Sequence, residues 1–199
     1  RGPANVLWAV AFSPDGRWIA TGGMGPTASL WDANTGQPLV RLVGHHAVIW
    51  KVAFSADGTR LLTGSRDGTA RVWDTVTGKE LSSLPATPRS QTLAVAFSPD
   101  GRQIVTGGWD PRARLWDATS GQEIDTLPGQ GDATNAVAFS PDGRQVLTAG
   151  ADHTAKVWDL TTFEEGPEHQ ALRLRAHGAR IHSIAFSPDG RRLITASED

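Results

Sequence analysis

The chain has 199 residues, 39% of them hydrophobic and 20% charged, with 19 Lys and Arg against 21 Asp and Glu for a formal net charge of -2. It contains no Cys, which excludes disulfides, thiolate metal sites and cysteine redox chemistry and fits a cytoplasmic location. Near-neutral charge gives no overall basic field for nucleic acid or an anionic membrane, and no apolar run approaches the ~18 residues of a membrane span.

Arg1-Gly2-Pro3 is not the start of a secretory signal, and the absence of an initial Met suggests a piece of a longer chain. The first element ends in AFSPDG, Ala11 to Gly16. The same six residues return at Ala96 to Gly101, Ala138 to Gly143 and Ala185 to Gly190, with AFSADG at Ala53 to Gly58. These starts step by 42, 43, 42 and 47 residues. A Trp-Asp pair follows each of the first four copies at one offset (Trp31-Asp32, Trp73-Asp74, Trp116-Asp117, Trp158-Asp159), and a fifth would fall past residue 199.

A repeat of about 40 to 45 residues ending in Trp-Asp signals a four-stranded propeller blade, whereas helical repeats of that length carry a 3.6-residue apolar period. In the second copy Val48, Trp50, Val52 and Phe54 alternate before a turn. Leu61 to Thr63, Ala70 to Trp73 and Leu81 to Leu84 then supply three more short strands. Ser-Pro-Asp-Gly suits the turn between the first two strands: Pro presets φ, Asp bonds nearby backbone and Gly tolerates positive φ. The expected fold is all-β, a propeller of four-stranded antiparallel blades, with four complete blades and the first half of a fifth. The units fall at about 1–42, 43–84, 85–127, 128–174 and 175–199. Face-to-face blade stacking predicts inner strands buried on both faces.

In these features the chain resembles the WD-repeat β-propeller family over nearly its whole length. The resemblance implies a structural lock in each blade: a His before the first strand, a Ser or Thr on the second, an Asp in the next turn, and the Trp. The second copy matches fully with His45, Thr63, Asp67 and Trp73. Partial matches are Thr106, Asp110 and Trp116; Thr148, Asp152 and Trp158; Thr21 and Trp31; and His177, Thr195 and Asp199. Pro3, Pro88 and Gln130 stand where His is expected, and Gly25 where Asp is expected, so those blades should lose part of the network and be less rigid.

His, Asp and a hydroxyl together also suit nucleophilic catalysis. A catalytic triad is needed once, however, whereas this set recurs at blade period and ends on an indole donor, so repetition favours architecture. No catalytic, cofactor-binding or metal-ligating set stands outside the repeat, and the expectation is a non-enzyme. His45 and His46 point apart on extended chain and do not suit a shared metal. Gly22-Gly23 and Gly107-Gly108 lack the spacing of a phosphate loop and read as turns. Arg173, Arg175, Arg180, Arg191 and Arg192 make the C-terminal end locally basic, but Arg also follows the turn in other copies (Arg17, Arg102, Arg144) as part of the repeat.

Recognition is expected where the copies differ. Four places before each Phe stand Trp8, Trp50, Leu93, Asn135 and His182. Before the turn Asp or its equivalent stand Met24, Arg66, Trp109, Ala151 and Glu198. The family resemblance places the first series near the narrow face around the central channel, where it implies protein or peptide partners. Aromatics at such a rim anchor interfaces, and the alternative is that they only fill the channel mouth. Gly25-Pro26 and Asp110-Pro111 put Pro where Gly68 stands, so these turns need another geometry and are secondary recognition candidates.

Seven blades would need roughly 290 residues at this repeat length. The expectation is therefore a segment of a larger propeller, or a ring completed by another chain. The favoured function is a non-enzymatic interaction scaffold, and the alternative is a sensor or regulatory segment of a multidomain protein whose effector enzyme lies elsewhere.

Overall fold

The computed structural model describes residues 6–85, 90–161, 172–175 and 177–199. Sheet one is built from β1 (Leu7–Phe12), β2 (Trp18–Gly23), β3 (Thr27–Asp32) and β4 (Pro38–Val43). Sheet two holds β5 (Ile49–Phe54), β6 (Arg60–Ser65), β7 (Thr69–Asp74) and β8 (Glu80–Pro85). Sheet three holds β9 (Thr92–Phe97), β10 (Gln103–Gly108), β11 (Ala113–Asp117) and β12 (Glu123–Leu127). Sheet four holds β13 (Thr134–Phe139), β14 (Gln145–Gly150), β15 (Ala155–Asp159) and β16 (Leu172–Leu174), and β17 (Ile181–Phe186) pairs with β18 (Leu193–Ser197) in a two-stranded fifth. Neighbours within each sheet follow chain order and run antiparallel, and the first strands contact one another from blade to blade. This is the repeated-blade architecture the sequence spacing implies.

The turns follow from their residues. In the first copy Asp15 Oδ1 accepts from the Ser13 hydroxyl at 2.6 Å and the Arg17 N–H at 3.1 Å, while the Trp18 N–H donates to Ser13 Oγ at 2.9 Å. Gly16 closes the turn at φ 71°, a region that costs other residues about 1–2 kcal/mol, and the other four copies repeat it. A second turn is organised by the Asp of each Trp-Asp pair. Asp74 Oδ1 takes the Thr77 N–H and hydroxyl, each at 2.7 Å, with Gly78 at φ 70°.

Each blade boundary is an apolar layer joining one face of a sheet to the opposite face of the next. Ala20, Ala28, Leu30 and Leu42 pack with Ile49, Val52, Leu61 and Trp73, and the same pattern recurs at the following boundaries. Small Ala interspersed with Leu on one side receives Ile, Leu and Trp from the other, which gives the close packing a blade stack needs. The strands buried on both faces are the second ones, β6, β10 and β14, rather than the first. A second strand has a pairing partner on each edge and blades over each face, whereas a first strand forms the inner edge, and its pattern in β5 is only partly buried. On the outer face of blade one Val10 is 67% exposed, against 4% for its equivalent Val52.

Candidate functional site

The lock of blade two assembles as the residue types imply. The Trp73 indole N–H donates to Thr63 Oγ1 at 2.8 Å, Thr63 Oγ1 lies 2.7 Å from His45 Nε2, and His45 Nδ1 lies 2.8 Å from Asp67 Oδ2. With Thr63 donating to Nε2, the ring proton sits on Nδ1 and goes to the carboxylate. Burial holds the His45 pKa below its ordinary value despite the opposing Asp67 charge, so a neutral ring donates to an ionised carboxylate. Burial pushes Asp67 up, but donations from Thr69, the His46 N–H and His45 outweigh it and hold the carboxyl below its ordinary range. The hydroxyl is 0% exposed and committed at both ends, an arrangement that satisfies buried polar groups and leaves no free nucleophile.

The other locks depart from this pattern in informative ways. Trp31 and Trp116 donate to Thr21 and Thr106 at 2.8 and 2.9 Å. Asp110, with Pro88 outside the described residues, pairs with Arg114 Nη2 at 2.9 Å, and Arg114 goes on to Glu123. In blade four Gln130 keeps the link to the second-strand Thr but not the direct one to the Asp that His45 makes in blade two. The Gln130 amide donates to Thr148, which also accepts from Trp158, and the Thr154 hydroxyl lies 3.1 Å from Gln130 Oε1 and 2.8 Å from Asp152 Oδ1. The carboxamide thus reaches the second-strand Thr as the imidazole does in blade two, and Thr154 stands between it and the turn Asp. In the fifth copy His177 reaches Asp199 at 2.9 Å and Thr195 at 2.7 Å without a Trp. The Asp199 carboxyl, bonded by the Gly178 N–H and His177, is lowered to about 2. Pro3 also lies outside the described residues.

The varied series of first-strand residues has one structural origin. Leu7 pairs with Gly23 and Ala9 with Gly22, so Trp8 is an extra residue between them. By the same count Trp50, Leu93, Asn135 and His182 are the extra residues of β5, β9, β13 and β17. Every blade thus carries a β-bulge at this point, a device that re-aims a side chain at a sheet edge. The second series lies against it, because the backbone N–H groups of Met24, Arg66, Trp109, Ala151 and Glu198 donate to the carbonyls of Val6, Val48, Gln91, Ala133 and Arg180.

Cross-blade contacts join these positions into a rim. The Trp8 and Trp50 rings lie 5.7 Å apart at 57°, the Trp50 indole donates to Gln91 Oε1 at 3.1 Å, and the Gln91 carbonyl accepts from the Trp109 N–H at 3.1 Å. Trp8 and Trp109 are more than half exposed, and Trp50 and Leu93 partly so. Arg66 is exposed beside them. Across blades four and five the rim turns polar: Asn135 Nδ2 donates to the Ile181 carbonyl at 3.2 Å and His182 Nε2 lies 2.8 Å from Glu198. Gln91 was not singled out by the sequence, since it precedes a strand and its equivalents are apolar or Arg.

Two further features complete the molecule. The first-strand Phe residues 54, 97, 139 and 186, with Pro99, Pro141 and Pro188, line a cavity of about 380 Å³ at the Ser-Pro turns. The Asp110-Pro111 turn supports the next blade, its Pro111 carbonyl accepting from the Gln130 N–H and the Thr134 hydroxyl at 2.9 Å each, which argues against a free recognition loop. Among the described residues no group of three or more His, Cys, Asp or Glu is placed to hold a metal.

A comparison with known families finds the WD domain, G-beta repeat, in five consecutive segments, residues 1–32, 36–74, 78–117, 121–159 and 169–199. A search of curated proteins returned no match. Five phased matches over most of the chain agree with five sheets, their Trp donors and their repeated turns, and the chain belongs to the WD40-repeat family, whose members generally act as protein-interaction scaffolds and are typically not enzymes.

Proposed function

We propose that this propeller segment is a non-enzymatic scaffold that docks a protein or peptide on the bulge rim around Trp8, Trp50 and Trp109. The observation that carries the reading is the linked row Trp8, Trp50, Gln91 and Trp109, two of whose three indoles are more than half exposed. Large aromatics gathered on one rim are the surface type that anchors partners, whereas scattered apolar residues are ordinary. The lock histidines and threonines are occupied in holding the blades and take no part.

Peptides selected from a random displayed library against the immobilised chain provide the test. Trp50→Ala and Trp109→Ala together should weaken binding of the selected peptides at least about tenfold, the loss of one anchor contact. Undiminished binding by the double variant overturns the reading.

A further inference from the structure

The charges on the rim narrow the partner. Its carboxylates are engaged within the protein: Asp67 by His45, Asp110 by Arg114, Asp152 by Thr154, Asp199 by His177 and Glu198 by His182. Asp132 accepts the Ala133 N–H at 2.7 Å. The guanidinium groups are not. Arg66, in the turn after β6, and Arg112, three residues past Trp109 in the turn after β10, are exposed and make no side-chain hydrogen bond or ion pair among the described residues. Arg180, next to β17, is likewise exposed without one.

Two of these guanidinium groups therefore sit in the turns of the blades that contribute Trp50 and Trp109, and the exposed Lys51 follows Trp50 in the chain. Guanidinium groups suit carboxylates because their planar fork donates two parallel hydrogen bonds. A basic partner would meet these uncompensated cations, with no free carboxylate of the same turns to offset them. We propose that the rim takes an acidic peptide segment, its apolar side chain seated against the Trp8 and Trp50 rings and its carboxylates met by Arg66 and Arg112. This inference rests on the docking function proposed above and specifies the partner's chemistry.

The experiment measures fluorescence anisotropy of three short labelled peptides with a central Leu-Phe pair flanked by Glu, by Ser or by Lys, titrated with the whole chain at low and raised salt. The Glu-flanked peptide should bind at least about tenfold more tightly than the Ser-flanked one, and salt should erode the difference. The Arg66→Glu, Arg112→Glu double variant should reverse the order in favour of the Lys-flanked peptide. Both positions are exposed, and a circular-dichroism melt matching the parent verifies that the fold is kept. Equal binding of all three peptides, abolished by Trp50→Ala, overturns the acidic preference while docking on the rim stands. Binding that Trp50→Ala and Trp109→Ala leave untouched overturns both. No binding by any of the three peptides overturns the acidic preference and leaves the rim to the displayed-library selection.

Discussion

Trp50 and Gln91, forty-one residues apart in the chain, meet at 3.1 Å across a blade boundary, the indole N–H donating to the side-chain oxygen. The bond fixes a bulged aromatic in one orientation while the Gln91 carbonyl ties down the Trp109 backbone. Preorganised aromatics bind with a smaller loss of side-chain freedom. Gln91→Leu should therefore weaken binding of a selected peptide severalfold, and Trp50→Phe, which keeps a ring but loses the donor, should act similarly. Isothermal titration reads both, and full affinity in Gln91→Leu would contradict a positioning role.

The lock of blade two should matter for stability. Thr63→Val keeps the shape but leaves the Trp73 N–H and His45 Nε2 without their buried partner, a loss of about 2–3 kcal/mol. Trp73→Phe removes one donor while Thr63 keeps His45, and it also leaves a cavity where a fully buried indole stood, for about 2–4 kcal/mol. Urea unfolding of the single and double variants should show non-additive losses, since both break one chain of hydrogen bonds.

Gln130 in blade four gives a contrasting case. Gln130→Leu removes the link to Thr148 and Thr154 and should cost about 1–2 kcal/mol. Gln130→His, which supplies the group found in blade two, should recover most of that loss in the same unfolding assay.

Acid should weaken the fold through the lock. The folded pKa of His45 lies below the ordinary 6.5, so the unfolded chain takes up a proton that the folded ring resists. Stability from this group is complete above about pH 6.5 and declines as pH falls below it. Asp67, held low by its donors, adds a further loss only as pH drops below 3.8. His45→Gln should flatten the dependence of the melting temperature between about pH 6.5 and 5, and an unchanged slope would assign the acid sensitivity elsewhere.

The blades were legible because their signals repeat in phase: the AFSPDG turns, the Trp-Asp offsets and the Thr ten residues before each Trp. Turn chemistry at Asp15 and Gly16 could be read from residue types alone, since its partners are local. The bulges could not. Val48, Trp50, Val52 and Phe54 read as a regular alternation, yet one extra residue at Trp50 changes its pairing, and that depends on register with β6. The Gln130 network was also hidden, because a carboxamide replaces an imidazole only where a hydroxyl such as Thr154 completes the reach. His153 holds a positive φ of 65° at the place of Gly68, which a residue-type rule would have assigned to Gly.

Separation of architecture from recognition is tested most directly by measuring peptide affinity and thermal unfolding on the same two proteins, the Trp50→Ala, Trp109→Ala variant and the Thr63→Val variant. The first should bind selected peptides at least about tenfold more weakly with a melting temperature within about 4 °C of the parent, and the second should melt lower yet bind with parental affinity while folded. Parental affinity in the double Trp variant would contradict the account.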